Sequence, residues 1–223
     1  MTKIKFCGLK RQEDIDFANL ILPEYIGFVF ANKSKRYVTP EKAIILKKRL
    51  DGRINAVGVF VNEDPLQVSE LLNGRVIDIA QLHGGENEEY ISELRKLTDK
   101  PIIKAFNVRD ERNISLALKS TADFVLLDSP LAGSGTRFDW ELLKNFGRPY
   151  FLAGGLDPDN VFGAVQRLKP FAVDVSSGIE TDGIKDIEKM KRYAAVRELK
   201  GTKKWQIKRD ASGYTAVSTF PKR

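Results

Sequence analysis

The stretch YFLAGGLDPDNVFGAVQRLKPFAVDVSSGIE, residues 150–180, holds one complete strand–helix–strand unit. Its two short apolar runs, Tyr150–Ala153 and Phe171–Val175, are typical of buried strands. Between the two runs, apolar residues recur at the i, i+3, i+4, i+7 spacing of one helical face: Val161, Ala164, Val165 and Leu168. The unit predicts two parallel strands that are joined by a right-handed crossover helix.

The same alternation runs through most of the chain. Eight apolar, β-branched runs begin 21 to 30 residues apart, and each interval has room for one helix. The predicted strands are Lys3–Phe6, Tyr25–Phe30, Asn55–Phe60, Val76–Leu82, Pro101–Phe106, Asp123–Leu127, Tyr150–Ala153 and Phe171–Val175. Eight successive strand–helix units predict the α/β class and a (β/α)8 TIM barrel, a single catalytic domain over residues 1–198. An open doubly wound sheet is the alternative.

Three dipeptides mark expected helix starts. Thr39-Pro40, Asp64-Pro65 and Asp157-Pro158 each place a capping side chain before a proline. Proline fits the first helical position because its missing N–H has no partner there in any case. We therefore expect a helix to begin directly after each of these pairs.

The composition excludes several kinds of protein. Of 223 residues, 42% are hydrophobic, and the chain contains one cysteine and one histidine. One cysteine forms no internal disulfide, and a single Cys and a single His do not make a structural zinc site. We see no secretory signal and no apolar run long enough to cross a bilayer. These features predict a cytoplasmic protein with no structural metal and no membrane partner.

The basic charge is concentrated at the end of the chain. The net charge is +7, and residues 199–223 carry +6 of it, with seven basic residues against Asp210. The body of the chain is therefore almost neutral, which argues against nucleic acid as a partner. Residues 199–223 are predicted to form a basic C-terminal extension, either a hairpin about the turn at 210–213 or a disordered tail.

Polar and reactive groups follow the predicted strands. In parallel barrels the active site lies at the carboxyl ends of the strands and in the loops after them. The groups at these ends are Cys7, Arg36, Gln81, His83, Asp128 and Asp174. Their convergence at one end of a barrel predicts a single active site.

Glycine-rich loops predict a phosphate site at the same end. The loop after strand six contains Gly133 and Gly135, the loop after strand seven contains Gly154 and Gly155, and strand eight is followed by Ser176 and Ser177. Backbone N–H groups in such loops bind a phosphate dianion without a lysine, and the loops after strands seven and eight form the phosphate site in many barrels.

Six motifs in order carry a resemblance to a known family. They are KFCGLK, SKRYVTPEKA, QLHGGE, LLDS…GSGTRFDW, LAGGLDPDNV and DVSSGIE. Together they resemble phosphoribosylanthranilate isomerase of tryptophan biosynthesis, over roughly residues 3–198. The resemblance implies an Amadori rearrangement of N-(5'-phosphoribosyl)anthranilate to 1-(2-carboxyphenylamino)-1-deoxyribulose 5-phosphate, with no cofactor and no metal.

The resemblance also implies a role for each matching residue. Cys7 is the general base and Asp128 the general acid. Arg36 binds the anthranilate carboxylate, Asp174 lies close to the anthranilate amine or the sugar hydroxyls, and Gln81 and His83 line the same cavity. The phosphate rests on Gly154, Gly155, Ser176 and Ser177, with Gly133 and Gly135 closing above it. One departure stands in loop six, where Ala132 occupies a position that is usually glycine in the family.

Other functions compete with this interpretation. Lys104, in a predicted strand, forms a Schiff base in an aldolase, pairs with an acid as a buried lysine, or extends its ammonium to the end of the barrel. A related isomerase of histidine biosynthesis is expected to have an aspartate where Cys7 stands. A barrel that binds phosphate ligands without turnover is a further alternative. The expected partner is a small-molecule substrate, and the protein is expected to be a monomer or a homodimer.

Overall fold

A computed structural model describes residues 1–128, 143 and 146–198 in full, and the backbone of 204–210 and 213–219. Eight strands form one closed parallel barrel in chain order. They are β1 (Lys3–Cys7), β2 (Tyr25–Val29), β3 (Asn55–Phe60), β4 (Ile79–Leu82), β5 (Ile102–Asn107), β6 (Phe124–Asp128), β7 (Tyr150–Ala153) and β8 (Ala172–Val175). This confirms the predicted (β/α)8 barrel and excludes the open sheet.

Seven α-helices alternate with the strands in the described part of the chain. They are α1 (Gln12–Ile21), α2 (Pro40–Arg49), α3 (Pro65–Asn73), α4 (Glu88–Leu97), α5 (Glu111–Lys119), α6 (Val161–Leu168) and α7 (Ile187–Ala194). Short 3-10 turns cover Ser177–Ile179 and Ala195–Glu198. A two-stranded ribbon, β9 (Glu180–Thr181) with β10 (Ile184–Lys185), follows β8 directly.

Two of the three predicted helix starts are confirmed. Thr39 accepts a hydrogen bond from the Lys42 N–H, and Asp64 accepts one from the Leu66 N–H, each ahead of a proline at the first helical position. The third prediction is wrong by three residues, because α6 begins at Val161 and not at Pro158. Asp157 instead caps a turn, where its carboxylate accepts the N–H groups of residues 159 and 160.

The predicted start of strand four is also wrong. Residues 76–78 do not belong to β4, because Val76 and Ile77 donate their N–H groups back to the Leu71 carbonyl at the end of α3. Arg75 turns the chain in the left-handed conformation, with φ of 58°. The apolar run Val76–Leu82 therefore contains both the residues that follow the end of α3 and the strand β4. Composition alone does not show where one ends and the other begins. The other predicted strands differ from the structure by one residue at most at either end.

The chain forms two compact units, Lys5–Ala105 and Met1–Ile4 with Phe106–Arg223. In the first unit, Phe30 stacks on Phe60 with their ring centroids 5.2 Å apart. In the second, the rings of Phe124, Phe151 and Phe171 pack together at centroid distances of 5.5 to 6.0 Å. These aromatic contacts contribute to the packed core of each unit.

Outside the barrel, β11 (Lys204–Asp210) pairs antiparallel with β12 (Gly213–Thr219). The division of the chain at residue 199 stays a prediction. No helix of the described residues is long and apolar enough to span a membrane. Over the same residues, no group of three or more His, Cys, Asp or Glu side chains is placed to hold a metal ion.

Candidate active site

Three of the predicted site residues lie at or near the carboxyl ends of barrel strands. Cys7 is the last residue of β1, Asp128 is the last residue of β6, and Asp174 is the third of the four residues of β8. Asp128 is half-buried, while Asp174 is only 7% exposed. Strand register therefore fixes the backbone of each predicted acid, base and binding carboxylate.

Cys7 lies in a small buried cluster of apolar side chains in the Lys5–Ala105 unit. Its thiol-bearing side chain packs with Val29 and Val59, and the half-buried Ala31 covers the same cluster. Only 9% of the residue is exposed. Cys7 is in register with Gly27 on the neighbouring strand.

Gln81 and His83 form a hydrogen-bonded pair at the end of β4. The Gln81 Nε2 atom lies 2.7 Å from Nδ1 of His83. An amide nitrogen only donates, so Nδ1 of His83 is the acceptor in this arrangement of the two side chains. The other Gln81 atom, Oε1, is buried and has no hydrogen-bond partner among the described residues. A buried acceptor of this kind normally finds a donor, and a bound ligand is one source of it.

Beside this pair, Glu86 and Lys104 form a buried ion pair. The Lys104 Nζ atom lies 3.0 Å from Glu86 Oε2 and also donates to the carbonyls of Leu82 at 3.3 Å and Gly84 at 2.8 Å. Glu86 in turn accepts the backbone N–H groups of Asn62 and Gly84. Burial acts to raise the pKa of Glu86, but the Asn62 N–H and the Lys104 ammonium outweigh it and the net pKa is lowered. The network holds the loop that follows His83.

The loops after β7 and β8 touch each other. A Cβ on Gly178 would lie 2.0 Å from the Leu156 carbonyl oxygen, so no side chain fits between the two loops there. Gly154 and Gly155 both have positive φ, at 95° and 60°. This conformation suits glycine and turns the loop sharply. Ser176 precedes the 3-10 turn at Ser177–Ile179, so the loop that contains the serines contacts the loop that contains the glycines at Gly178.

A buried ion pair fixes the far end of the second loop. The Lys185 ammonium donates to Glu180 Oε1 at 2.6 Å and to the Ser176 carbonyl at 2.9 Å. The Lys185 side chain is 2% exposed and the Glu180 side chain 8%. The β9–β10 ribbon therefore anchors the predicted phosphate loop at Ser176.

Arg36 lies half-buried in the loop after β2. Its backbone N–H donates to Ser34 Oγ at 3.1 Å, and the Lys10 ammonium donates to the neighbouring Lys35 carbonyl at 3.0 Å. Val38 then rejoins the sheet through the Val29 carbonyl. Lys10 thus stabilises the loop that contains Arg36.

Known proteins share both the sequence and this geometry. The sequence model of the family described as N-(5'-phosphoribosyl)anthranilate (PRA) isomerase matches residues 4–196. The chain belongs to the N-(5'-phosphoribosyl)anthranilate isomerase family. A relative of that name from Endomicrobium trichonymphae is 48% identical over 194 residues, which cover 85% of this chain and 95% of the relative.

Solved structures of the family superimpose on the barrel. The phosphoribosyl anthranilate isomerase of Thermotoga maritima has a TM-score of 0.80 at 36% identity, over 89% of this chain and all of the other. A second structure of a phosphoribosyl anthranilate isomerase, at 35% identity and a TM-score of 0.78 over the same shares, is a complex with reduced 1-(o-carboxyphenylamino)-1-deoxyribulose 5-phosphate. The residues that match the family model, 4–196, include the strand ends that contain Cys7, Asp128 and Asp174.

Some of the predicted site residues of this isomerase family member lie outside the residues that the structure describes. Gly133 and Gly135, predicted to close over the phosphate, and the unusual Ala132 lie outside the described residues. The sequence did not predict two residues that contact Lys104 and Cys7. Glu86 stands inside the QLHGGE motif, yet only the fold brings it to Lys104, and Gly27 gives no sequence signal beyond a glycine within an apolar strand.

The ion pair on Lys104 argues against an aldolase. A Schiff-base lysine must lose its proton and reach a substrate carbonyl. Lys104 is 5% exposed, and three acceptors engage the three N–H donors of its ammonium. In this member of the isomerase family, Lys104 is a buried lysine that pairs with an acid, Glu86.

Glu86→Gln is expected to destabilise the fold by about 3 kcal/mol at pH 7, because it leaves the buried Lys104 ammonium without its counter-charge. The folded pKa of Glu86 is depressed, so its contribution is complete above the ordinary value of 4.5 and is lost as the pH falls through the folded value. Urea unfolding at pH 7, 5 and 3.5 should therefore show the difference from wild type shrinking towards acid pH.

The exposed Glu93 on α4 provides the matched control. Glu93→Gln makes the same chemical change on the surface and should alter the free energy of unfolding by less than about 0.5 kcal/mol. A Glu86→Gln cost no larger than this, or one that does not vary with pH, would contradict the ion-pair argument.

Proposed function

We propose that this protein is a phosphoribosylanthranilate isomerase that acts in tryptophan biosynthesis with Cys7 as general base and Asp128 as general acid. The observation that carries the proposal is the position of these two side chains at the ends of β1 and β6 in a member of this family. The carboxyl ends of parallel barrel strands gather at one face, where barrel enzymes have their active sites. This supports a common site for the two groups.

The chemistry requires one acid and one base. The carboxylic acid of Asp128 donates a proton to the furanose ring oxygen. At the same time the lone pair of the anthranilate nitrogen forms a C1'=N bond, so the bond between C1' and the ring oxygen breaks and an iminium remains. The iminium acidifies the C2' hydrogen, and a thiolate at Cys7 removes it. The enol-amine that forms tautomerises to the ketone, so the product is an isomer of the substrate and no atom is gained or lost.

Arg36, Asp174, Gln81 and His83 are proposed to hold the anthranilate and the sugar. A guanidinium binds a carboxylate through two parallel N–H donors, which suits Arg36 and the anthranilate carboxylate. The buried Oε1 of Gln81 suits an N–H or hydroxyl donor of the substrate. Asp174, which is also buried, suits the anthranilate amine or the sugar hydroxyls.

The phosphate is proposed to rest on the paired loops after β7 and β8. The close contact at Gly178 brings the loop of Ser176 and Ser177 against the loop of Gly154 and Gly155. Backbone N–H groups in such turns bind phosphate through partial positive charge. Lys185, which pairs with Glu180, donates a hydrogen bond to the Ser176 carbonyl and so stabilises the backbone of this loop.

Arg36→Ala should raise KM for N-(5'-phosphoribosyl)anthranilate by about 10- to 100-fold, since a charge-assisted hydrogen-bonded pair contributes about 1.5–3 kcal/mol. The effect on kcat should be smaller, because the carboxylate is bound in both the ground state and the transition state. Steady-state kinetics at saturating and limiting substrate separate the two constants.

Arg49→Ala is the control for this variant, since Arg49 ends α2 and interacts with Asp16 on the surface. Its kinetics should match those of wild type within about twofold. Unchanged KM and kcat/KM in Arg36→Ala would remove Arg36 from the proposed site.

The proposed activity is tested by assay and by complementation. The purified protein should convert N-(5'-phosphoribosyl)anthranilate to the aminodeoxyribulose product with no added metal or cofactor, and its gene should restore growth to a tryptophan auxotroph that lacks this step. A protein that binds the substrate analogue but neither turns over the substrate nor complements would be a binding barrel without turnover.

A further inference from the structure

Gly27 leaves no room for a side chain beside the thiol. It is in register with Cys7 on the adjacent strand. A Cβ on Gly27 would lie 2.7 Å from Cys7 Sγ, 3.1 Å from Cys7 Cα and 3.4 Å from Cys7 Cβ. Apolar heavy atoms are comfortable at about 3.5–4.0 Å, so any larger residue at position 27 displaces the sulfur or separates the strands.

Gly27 also holds the backbone that follows the thiol. Its carbonyl oxygen accepts the N–H of Gly8 at 2.9 Å and the N–H of Leu9 at 3.1 Å. Gly8 has φ of 78°, which turns the chain out of β1 directly after Cys7. The Gly27 carbonyl therefore fixes the turn at Gly8 and Leu9. The absence of a side chain on Gly27 leaves space for the Cys7 sulfur.

Backbone conformation does not explain a glycine at this position. Gly27 is not among the residues with positive φ, which include Gly8, Gly154, Gly155 and Gly183. Any residue adopts an ordinary strand conformation, so the requirement at Gly27 is for space. The Cys7 side chain also packs with Val29 and Val59 in a buried apolar cluster.

We propose that Gly27 is the positioning residue for the Cys7 sulfur: its absent Cβ determines where the thiolate points. This inference rests on the proposed role of Cys7 as general base. Reacting atoms must approach within about 3–3.5 Å, and a displacement of about 1 Å costs on the order of 100-fold in rate. A methyl group at position 27 is therefore sufficient to disable the base.

Gly27→Ala should lower kcat by about 100-fold and change KM by less than about threefold. Iodoacetamide gives a second readout that does not depend on turnover. Cys7 is the only cysteine, so the alkylation rate reports on this sulfur alone, and it should change at least fivefold in Gly27→Ala. The pH dependence of alkylation should shift with it, because the thiolate moves within its pocket.

Two glycine variants serve as controls. A Cβ on Gly58, in the next strand, would lie 2.5 Å from Ile77 Cδ1 and 2.9 Å from the Phe60 ring, away from the thiol. Gly58→Ala therefore imposes a similar clash elsewhere and should leave kcat and the alkylation rate within about threefold of wild type. Gly163 on α6 has nothing within 4 Å of an added Cβ, so Gly163→Ala should match wild type in both readouts.

A thiol-free background keeps the proposal testable if Gly27→Ala is unstable. In Cys7→Ala the sulfur is gone, so adding Gly27→Ala should lower Tm by less than half as much as it does in the presence of Cys7. An equal loss of Tm in both backgrounds, or kcat and alkylation within twofold of wild type in Gly27→Ala, would overturn the proposal. If Cys7 is not the base, Gly27→Ala changes alkylation but not kcat, and Cys7→Ser stays active, which separates failure of the proposed function from failure of this inference.

Discussion

Cys7→Ser is expected to lower kcat by about 10²- to 10⁴-fold, the usual loss when a general base is removed. Serine keeps the size of the side chain and a polar atom at its end. Its hydroxyl is a far weaker acid than a thiol, so no comparable population of the anionic base forms near neutral pH. Affinity for the reduced product analogue should stay within a few-fold, because the variant removes a proton acceptor and no binding contact.

Stability is the control for this variant. Cys7 packs with Val29 and Val59 in a small apolar cluster. Serine fits the same space but buries a hydroxyl there, so Tm should fall by a few degrees. In wild type, alkylation of the single thiol should abolish activity, and the product analogue should protect against it. Cys7→Ser with activity within a few-fold of wild type would remove the thiol from the mechanism.

Asp128→Asn is expected to lower kcat by a similar factor, about 10²- to 10⁴-fold. The amide keeps the shape of the carboxyl group at the end of β6 but has no acidic proton for the furanose oxygen. Ring opening then depends on water as the acid. The substrate should still bind, so the loss should be in kcat far more than in KM.

Asp123 offers the matched control at the opposite end of the same strand. It directly precedes β6, whereas Asp128 ends it. Asp123→Asn makes the identical chemical change about one strand length away and should leave kcat within about threefold of wild type. An equal loss in both variants would indicate a general effect of charge on the barrel, and no loss in Asp128→Asn would exclude it as the acid.

The architecture could be predicted because it is encoded locally. A strand such as Tyr150–Ala153 is a continuous apolar run, and α6 shows its buried face as a regular spacing of apolar residues. Boundaries were harder, since apolar residues serve both helix ends and strands. Val76 and Ile77 close α3 although they extend the apolar run of β4, and nothing in their chemistry distinguishes the two roles.

The sequence predicts which residue types stand at the strand ends, but it does not predict the contacts that these residues make. Cys7 and Asp128 each directly follow a predicted strand, so the sequence places both at strand ends. The partner of Lys104 comes from a separate loop, 18 positions away, and only the folded register brings Glu86 to it. The space at Gly27 is likewise a property of the Cys7 pairing, because a glycine inside a strand can equally mark a bulge, a bend or a close approach of another backbone.

We propose that a sulfur from the first strand and a carboxyl group from the sixth act on one sugar phosphate. A crystal structure of this protein with reduced 1-(o-carboxyphenylamino)-1-deoxyribulose 5-phosphate tests it most directly. We predict Cys7 Sγ within about 3.5 Å of the C2' position and an Asp128 oxygen within about 3.2 Å of the hydroxyl derived from the ring oxygen. The phosphate should lie on the loops at Gly155 and Ser177. An analogue bound with either side chain more than about 6 Å from its atom, beyond reach of proton transfer even through one water, would contradict the account.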